Sequence, residues 1–182
     1  MKAFEWILGI LIALALAVAG YLWYLGMFSY VPVTERQMGP YVFAYQEHTG
    51  PYSGTMKVFE AVDRILADAG VKAEKGIGVY FDNPSQVPAE KLRSWCGSVI
   101  EEADSGKIPA LSKRLSIGSF PKANCIVVEF PIKGGMSFMA GPVKVYPLIS
   151  KYMLEKGYKG GESYELYDMP AKKIYFIMPA RK

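Results

Sequence analysis

Glu165 is the residue of this sequence whose setting most strongly suggests chemistry. It lies in the run 163–168 (SYELYD), an acid among aromatic and apolar residues in a segment typical of a β-strand. Because strand side chains alternate, Ser163, Glu165 and Tyr167 share one face. A buried carboxylate must be paired, hydrogen-bonded or neutralised. Two interpretations stay open: Glu165 lies at a sheet edge or meets a Lys or Arg, or it is the acid at the bottom of an aromatic pocket that selects cationic or polar ligands.

Other residues that support catalysis or metal binding are sparse. The single His48 and the two cysteines, Cys96 and Cys125, form no spacing typical of a metal site, so we expect no metal, no cofactor and two free buried thiols. The sequence has no G-x-S-x-G motif, which leaves serine-type hydrolysis unsupported. The chain has 21 Lys and Arg residues and 17 Asp and Glu residues. The basic residues are scattered along the sequence, so no nucleic-acid partner is expected.

The N-terminal segment has the composition of a membrane anchor, and we assign residues 1–30 to it. No charged residue occurs between Trp6 and Thr34, and the apolar run 6–28 would reach about 34 Å as a helix, enough for a bilayer core of about 30 Å. The alternative is a cleaved signal peptide, because residues 17–19 (AVA) resemble a cleavage site. The chain stays apolar past that point, which favours an uncleaved anchor in contact with the lipid bilayer. The flanking charges do not determine its orientation.

Beyond a linker at 31–40, the sequence predicts one α+β domain over residues 41–182. Hydrophobic spacing indicates the order strand, helix, strand, strand twice, in repeats at about 41–100 and 123–180. The first helix covers residues 56–69 and stops at Gly70; the second is entered by Pro142 and stopped by Gly157. Two such units can form one antiparallel sheet with both helices on one face. A pseudo-twofold axis would then leave a groove between the repeats, where ligands commonly lie.

Several strings of this sequence resemble the GyrI-like small-molecule-binding domain, which also forms the effector-binding part of multidrug-responsive activators. They are residues 45–54 (YQEHTGPYSG), 79–84 (VYFDNP) and 164–167 (YELY), and the resemblance covers about residues 34–180. Within the family, the chain resembles the membrane-anchored, testis-expressed type that serves as a receptor in autophagy of the endoplasmic reticulum. The printed chain ends at Lys182 without a long acidic tail for a receptor motif, so an autophagy role is not expected to carry over.

The resemblance also implies a set of ligand-binding residues. The acid of the Tyr-Glu-x-Tyr strand contacts cationic ligands in effector-binding relatives, and Glu165 occupies that position. Tyr167 would form a pocket wall on the same strand face. Three further aromatic candidates could line the pocket or belong to the core: Tyr80, Trp95 and Phe138. Tyr52 could close the groove or pack its turn.

Three functions of different classes are compatible with these observations. The interpretation we favour is a membrane-tethered module that binds an amphipathic or cationic small molecule in the groove. The second is a hydrolase of reactive cyclopropane-containing compounds, known in some GyrI-like proteins, for which Glu165 and Tyr167 would be the catalytic residues. The third is a protein-interaction or adaptor module. The resemblance implies a domain that faces the cytoplasm.

Overall fold

A computed structural model describes residues 2–182, with side chains from residue 4 onward. The chain begins with helix α1 (Lys2–Leu25), whose segment Phe4–Leu25 has a mean hydropathy of 2.2 and is exposed except at its end, where Leu25 is buried. By length and composition alone, α1 is able to cross a membrane.

The remainder of the described chain is built on one antiparallel sheet of eight strands in the order β1-β6-β8-β7-β3-β4-β2-β5. Strands β6 and β8 are apolar on both faces because successive side chains point to opposite faces and each face packs on an apolar core. Their bounds are β1 Thr34–Met38, β2 Tyr41–Thr49, β3 Lys75–Tyr80, β4 Arg93–Val99, β5 Ser116–Phe120, β6 Ala123–Pro131, β7 Ser163–Asp168 and β8 Lys173–Pro179.

The predicted strand-helix-strand-strand repeat is confirmed. The first repeat is β2, α2 (Thr55–Asp68), β3 and β4; the second is β6, α4 (Ser137–Lys156), β7 and β8. Helix α2 packs Val62 and Leu66 onto Ala44, and α4 packs Val145 and Ile149 onto β6 and β8. These contacts are on the same face of the sheet, and the central strands β7 and β3 lie between the two helices. The fold class is therefore α+β, as predicted.

The opposite face of the sheet curls around a second apolar core. This core joins both edge strands, since Met38 of β1 and Phe120 of β5 pack into the same cluster as Ile77, Val79 and Leu166 of the central strands. The short helix α3 (Ile108–Leu111) lies between the repeats. Two free thiols, those of Cys96 and Cys125, are buried in the sheet, as expected.

Two local expectations differ from the structure. The segment 31–40, predicted as a linker, contains strand β1, which pairs with β6, some ninety residues away in the sequence. Helix α4 begins at Ser137, before the predicted entry at Pro142, so Pro142 and Pro147 both lie inside it. Gly141 lies inside the same helix and allows it to pack closely on β8, since an added Cβ would come within 2.9 Å of the Phe176 ring. Gly157 ends α4 in the left-handed conformation, as predicted.

Candidate functional site

Strand β7 places Glu165 at the centre of the sheet, on the face that carries α2 and α4. Its register partners are Gly78 of β3 and Phe176 of β8, so the carboxylate is flanked by a strand on each side and is only 4% exposed. Tyr167 projects from the same face of β7, as the alternation predicts. The sheet-edge interpretation of Glu165 is therefore excluded.

Both oxygens of the Glu165 carboxylate accept a hydrogen bond from a tyrosine hydroxyl. Tyr146 of α4 donates to Oε1 at 2.6 Å, and Tyr167 donates to Oε2 at 2.7 Å. The network extends outward, because the Tyr80 and Tyr167 hydroxyls lie 2.9 Å apart and the Tyr146 hydroxyl lies 3.1 Å from Oγ of Ser163. Short hydrogen bonds to an ionised acceptor are among the stronger ones in proteins, so these tyrosines hold the carboxylate in one orientation.

Burial dominates the electrostatics of this cluster. It raises the pKa of Glu165 from its usual 4.5 to about 6, against the opposing effect of the hydrogen bonds from Tyr146 and Tyr167. Burial and then the nearby carboxylate raise the pKa of the Tyr80, Tyr146 and Tyr167 hydroxyls well above 10. No Lys or Arg in the described part of the chain forms an ion pair with Glu165. The carboxylate is thus ionised near neutral pH without a counter-ion.

Aromatic rings from both helices surround this network. Phe59 of α2 and Phe138 of α4 each meet the ring of Tyr167 edge-on, with centroids 5.5 and 5.6 Å away. The rings belong to different repeats, so the network lies where the two repeats meet. Gly78 leaves the space that the Tyr80 ring occupies, because an added Cβ at this position would come within 2.8 Å of the ring.

The structure brings most of the predicted ligand-binding residues together, but not all. Tyr167, Tyr80 and Phe138 join Glu165 directly or through Tyr167. Tyr52 packs edge-on against Tyr80 and donates to the carbonyl oxygen of Asp82 at 2.8 Å, which fixes the turn beside the site. Trp95 lies on the opposite face of the sheet, where its ring stacks on Tyr45 at 4.4 Å. Its register partner is Val79, whereas Glu165 pairs with Gly78, and this one-residue difference separates the two faces.

Sequence reasoning missed Tyr146, the closest hydrogen-bond donor to Glu165. The signal was present, because Phe138, Pro142 and Tyr146 recur every four residues along one flank of a helix that begins at Ser137. If the helix is assumed to begin at Pro142, Phe138 falls outside it and the four-residue spacing is not recognised. Phe59 of α2 was also not among the predicted site residues, and its ring contacts that of Tyr167.

Other regions of the described chain offer less defined sites. No group of three or more His, Cys, Asp or Glu residues in this part of the molecule is arranged to hold a metal ion. Two open clefts of about 300 and 270 Å³ lie elsewhere, and neither is lined by Glu165. Their principal cations are already paired: Arg36 with Glu129 in the first and Arg181 with Glu162 in the second.

Comparison with known proteins identifies the family. A model described as GyrI-like small molecule binding domain matches residues 32–175. The testis-expressed protein 264 homolog of Mus musculus is 30% identical over 142 residues, covering 75% of this chain and 44% of the relative. The DNA gyrase inhibitor of Enterobacter lignolyticus is 34% identical over 100 residues, covering 52% of this chain and 62% of the relative. The chain therefore spans less than two thirds of the length of either protein.

A solved structure shows the same fold at low sequence identity. SAV2435, determined bound to tetraphenylphosphonium, matches with a TM-score of 0.53 at 12% identity, covering 82% of this chain and 94% of that one. Together with the match over residues 32–175, this architecture shows that the chain belongs to the family of GyrI-like small-molecule-binding domains.

Proposed function

We propose that this chain is a membrane-tethered GyrI-like domain that binds an amphipathic or cationic small molecule over Glu165. The observation that carries the proposal is a carboxylate only 4% exposed, hydrogen-bonded to two tyrosines and unpaired with any cation of the described residues. An ionised group buried without a counter-ion is costly to the folded state. A cationic ligand would supply the missing charge and offset that cost.

The surrounding side chains suit a lipophilic cation. The rings of Phe59 and Phe138 meet that of Tyr167, which donates to the acid, and a cation over an aromatic face gains about 0.5–2 kcal/mol per contact. The tetraphenylphosphonium bound by SAV2435 is a cation of this class, which makes it a suitable first probe. Tyr80 and Phe138 would form the walls of the site, with Tyr52 securing the adjacent turn.

Helix α1 supports the tethering part of the proposal. Its 22-residue segment Phe4–Leu25 would extend about 33 Å, enough to cross a hydrocarbon core of about 30 Å. Apart from Leu25 at its end, its large apolar side chains are mostly exposed rather than packed against the domain, as a lipid-facing helix requires. We propose from the family resemblance alone that the domain faces the cytoplasm, and a reporter fused to the C-terminus tests that orientation.

A hydrolytic role is the second candidate, and the same cluster favours it. An acid with a pKa of about 6 titrates near the pH at which enzymes work, and a tyrosine hydroxyl 2.6 Å away could relay its proton. For a cyclopropane-bearing electrophile, Glu165 would take a proton from water while the water oxygen bonds to one ring carbon and a ring C–C bond breaks, and the proton would then pass to the ring carbon that leaves with the electron pair. Binding and turnover are separable by experiment.

The test compares the full chain in lipid nanodiscs with its Glu165→Gln variant, and tetraphenylphosphonium with a neutral analogue, triphenylphosphine oxide. A ligand at about 100 times its Kd should stabilise the fold by about 2.7 kcal/mol in thermal unfolding. We expect this stabilisation for the cation, with a marked loss in Glu165→Gln and no loss in Glu90→Gln, which removes an exposed acid. Empty nanodiscs correct for partitioning of the cation into lipid.

Three results decide between the candidates. Equal stabilisation of wild type and Glu165→Gln would refute the role of Glu165 in binding. Consumption of a cyclopropane-bearing electrophile, measured by chromatography and abolished in Glu165→Gln, would establish the hydrolase instead. The absence of both binding and turnover would refute both ligand-based functions and direct the search to protein partners.

A further inference from the structure

The end of helix α1 is fastened to the domain. Leu25 is only 1% exposed, and Nζ of Lys144 donates to the carbonyl oxygens of Gly26 and Met27 at 2.7 and 2.8 Å. Nζ of Lys133 donates to the carbonyl oxygen of Tyr24 at 2.6 Å. Carbonyl groups at the end of a helix lack partners within it, and cations near that end are favourable. The domain is therefore held directly against the end of the apolar helix.

The same end of the sheet exposes apolar side chains. Helix α4 begins here, after the C-terminal end of β6, and its first turns expose Met136 (45%), Met139 (66%) and Val143 (69%). Helical periodicity places these three residues on one stripe, opposite the buried Val145. We call them the α4 crest. An exposed apolar stripe on an amphipathic helix marks a surface that contacts something apolar.

The α4 crest lies between two features already described. On one flank of the helix, Lys144 binds the chain that leaves α1; on the other, Tyr146 donates to Glu165. Positive charge is present at the same end, because the exposed Lys133 and Lys172 lie in the loops that follow β6 and β7. Apolar side chains flanked by Lys are typical of surfaces that rest on anionic membranes.

We propose that the α4 crest lies in the interfacial layer of the bilayer leaflet from which α1 emerges, and so forms a second lipid contact of the domain. The proposal rests on α1 being a membrane anchor. Two features favour lipid rather than a protein: the crest adjoins the end of the apolar helix, and its neighbouring charges complement anionic headgroups. A lipophilic ligand dissolved at that depth would reach the flank of α4 that carries Phe138 and Tyr146 directly from the membrane.

The test measures lipid contact at single positions of the full chain in nanodiscs of phosphatidylcholine and phosphatidylserine. A cysteine at Val143, Gln86 or Leu14 carries an environment-sensitive fluorophore, and spin-labelled lipids act as quenchers. The wild-type chain, treated with the same fluorophore, gives the background labelling, which should be low because Cys96 and Cys125 are buried. Gln86 is the matched control, since it is exposed in the loop after β3, at the opposite end of the sheet. Leu14 reports on the anchor itself.

We expect quenching at Val143→Cys to be several-fold stronger than at Gln86→Cys, together with blue-shifted emission. Quenching at Leu14→Cys but equally weak quenching at Val143→Cys and Gln86→Cys would overturn the proposal while leaving the anchor intact. Absence of quenching at Leu14→Cys would refute the anchor, and the proposal with it. Blue-shifted emission at Val143→Cys without lipid quenching would show that a second copy of the chain covers the crest, and would also overturn the proposal.

Discussion

Replacing Glu165 by Gln should change how the stability of this domain depends on pH. Burial raises the pKa of Glu165 in the folded chain from 4.5 to about 6. Each pKa unit is worth about 1.36 kcal/mol, so the ionised carboxylate costs the folded state about 2 kcal/mol at neutral pH. Gln is nearly isosteric, carries no charge and can still accept a hydrogen bond from one tyrosine hydroxyl.

The sign of the effect follows from proton binding. Between about pH 4.5 and 6 the folded chain holds the Glu165 proton more tightly than the unfolded chain, so stability falls as the pH rises through this window. Glu165→Gln has no such proton. The free energy of unfolding of the variant, minus that of the wild type, should therefore increase by about 2 kcal/mol between about pH 4 and pH 7.5.

This difference can be measured by urea unfolding of the full chain, followed by tryptophan fluorescence in a background with Trp6 and Trp23 of α1 replaced by Phe, so that Trp95, which packs against the core of the sheet, is the reporter. Comparing two proteins at each pH cancels the titrations that they share. The matched control is Glu90→Gln, which makes the same substitution at an exposed acid. A constant difference for Glu165→Gln would refute the reasoning, because it would mean that burial does not perturb this carboxylate.

Two further substitutions test the surroundings of the acid. Tyr146→Phe removes a hydrogen bond to an ionised acceptor, so we expect a loss of about 1.5–3 kcal/mol at neutral pH and a smaller loss once Glu165 is protonated, measured by urea unfolding at both pH values. An equal loss of stability at both pH values would contradict the assignment of this hydrogen bond to the ionised carboxylate. Gly78→Ala places a Cβ within 2.8 Å of the Tyr80 ring and should break the hydrogen bond between Tyr80 and Tyr167, costing about 1 kcal/mol in unfolding experiments and weakening tetraphenylphosphonium binding. Gly106→Ala, which meets no atom within 4 Å, should do neither; equal effects of the two substitutions would refute the steric argument.

The architecture could be predicted because its determinants are local. Apolar spacing and stop signals such as Gly157 define the helices, and alternation in β7 places Glu165 and Tyr167 on one face. Strand β1 could not be predicted in this way, because its sequence (TERQM) has almost no apolar pattern and its five residues are mostly exposed. It forms a strand because β6 supplies hydrogen-bond partners far away in the sequence.

The candidate site was harder to predict than the fold because it depends on cross-strand register. Trp95 and Tyr80 are both aromatic strand residues, and only the pairing of β3 with β4 shows that they lie on opposite faces. Tyr146 was missed for a related reason: its position depends on where α4 begins, and Pro142 in the helix interior gave a misleading start signal. Local patterns identify the acid, whereas long-range packing selects its partners.

The form of the Glu165 site argues for a ligand rather than for a role in folding. A carboxylate that only stabilised the sheet would be expected to meet a Lys or Arg, as Glu129 meets Arg36 and Lys173 at the surface of this same domain. Glu165 instead has two neutral donors, which orient the carboxylate but do not cancel its charge. Neutral or apolar side chains in place of a buried ionic group often leave a protein equally or more stable. The cost of about 2 kcal/mol at neutral pH is therefore one that a bound cation would offset, and affinity for such a cation should fall as the pH drops below about 6.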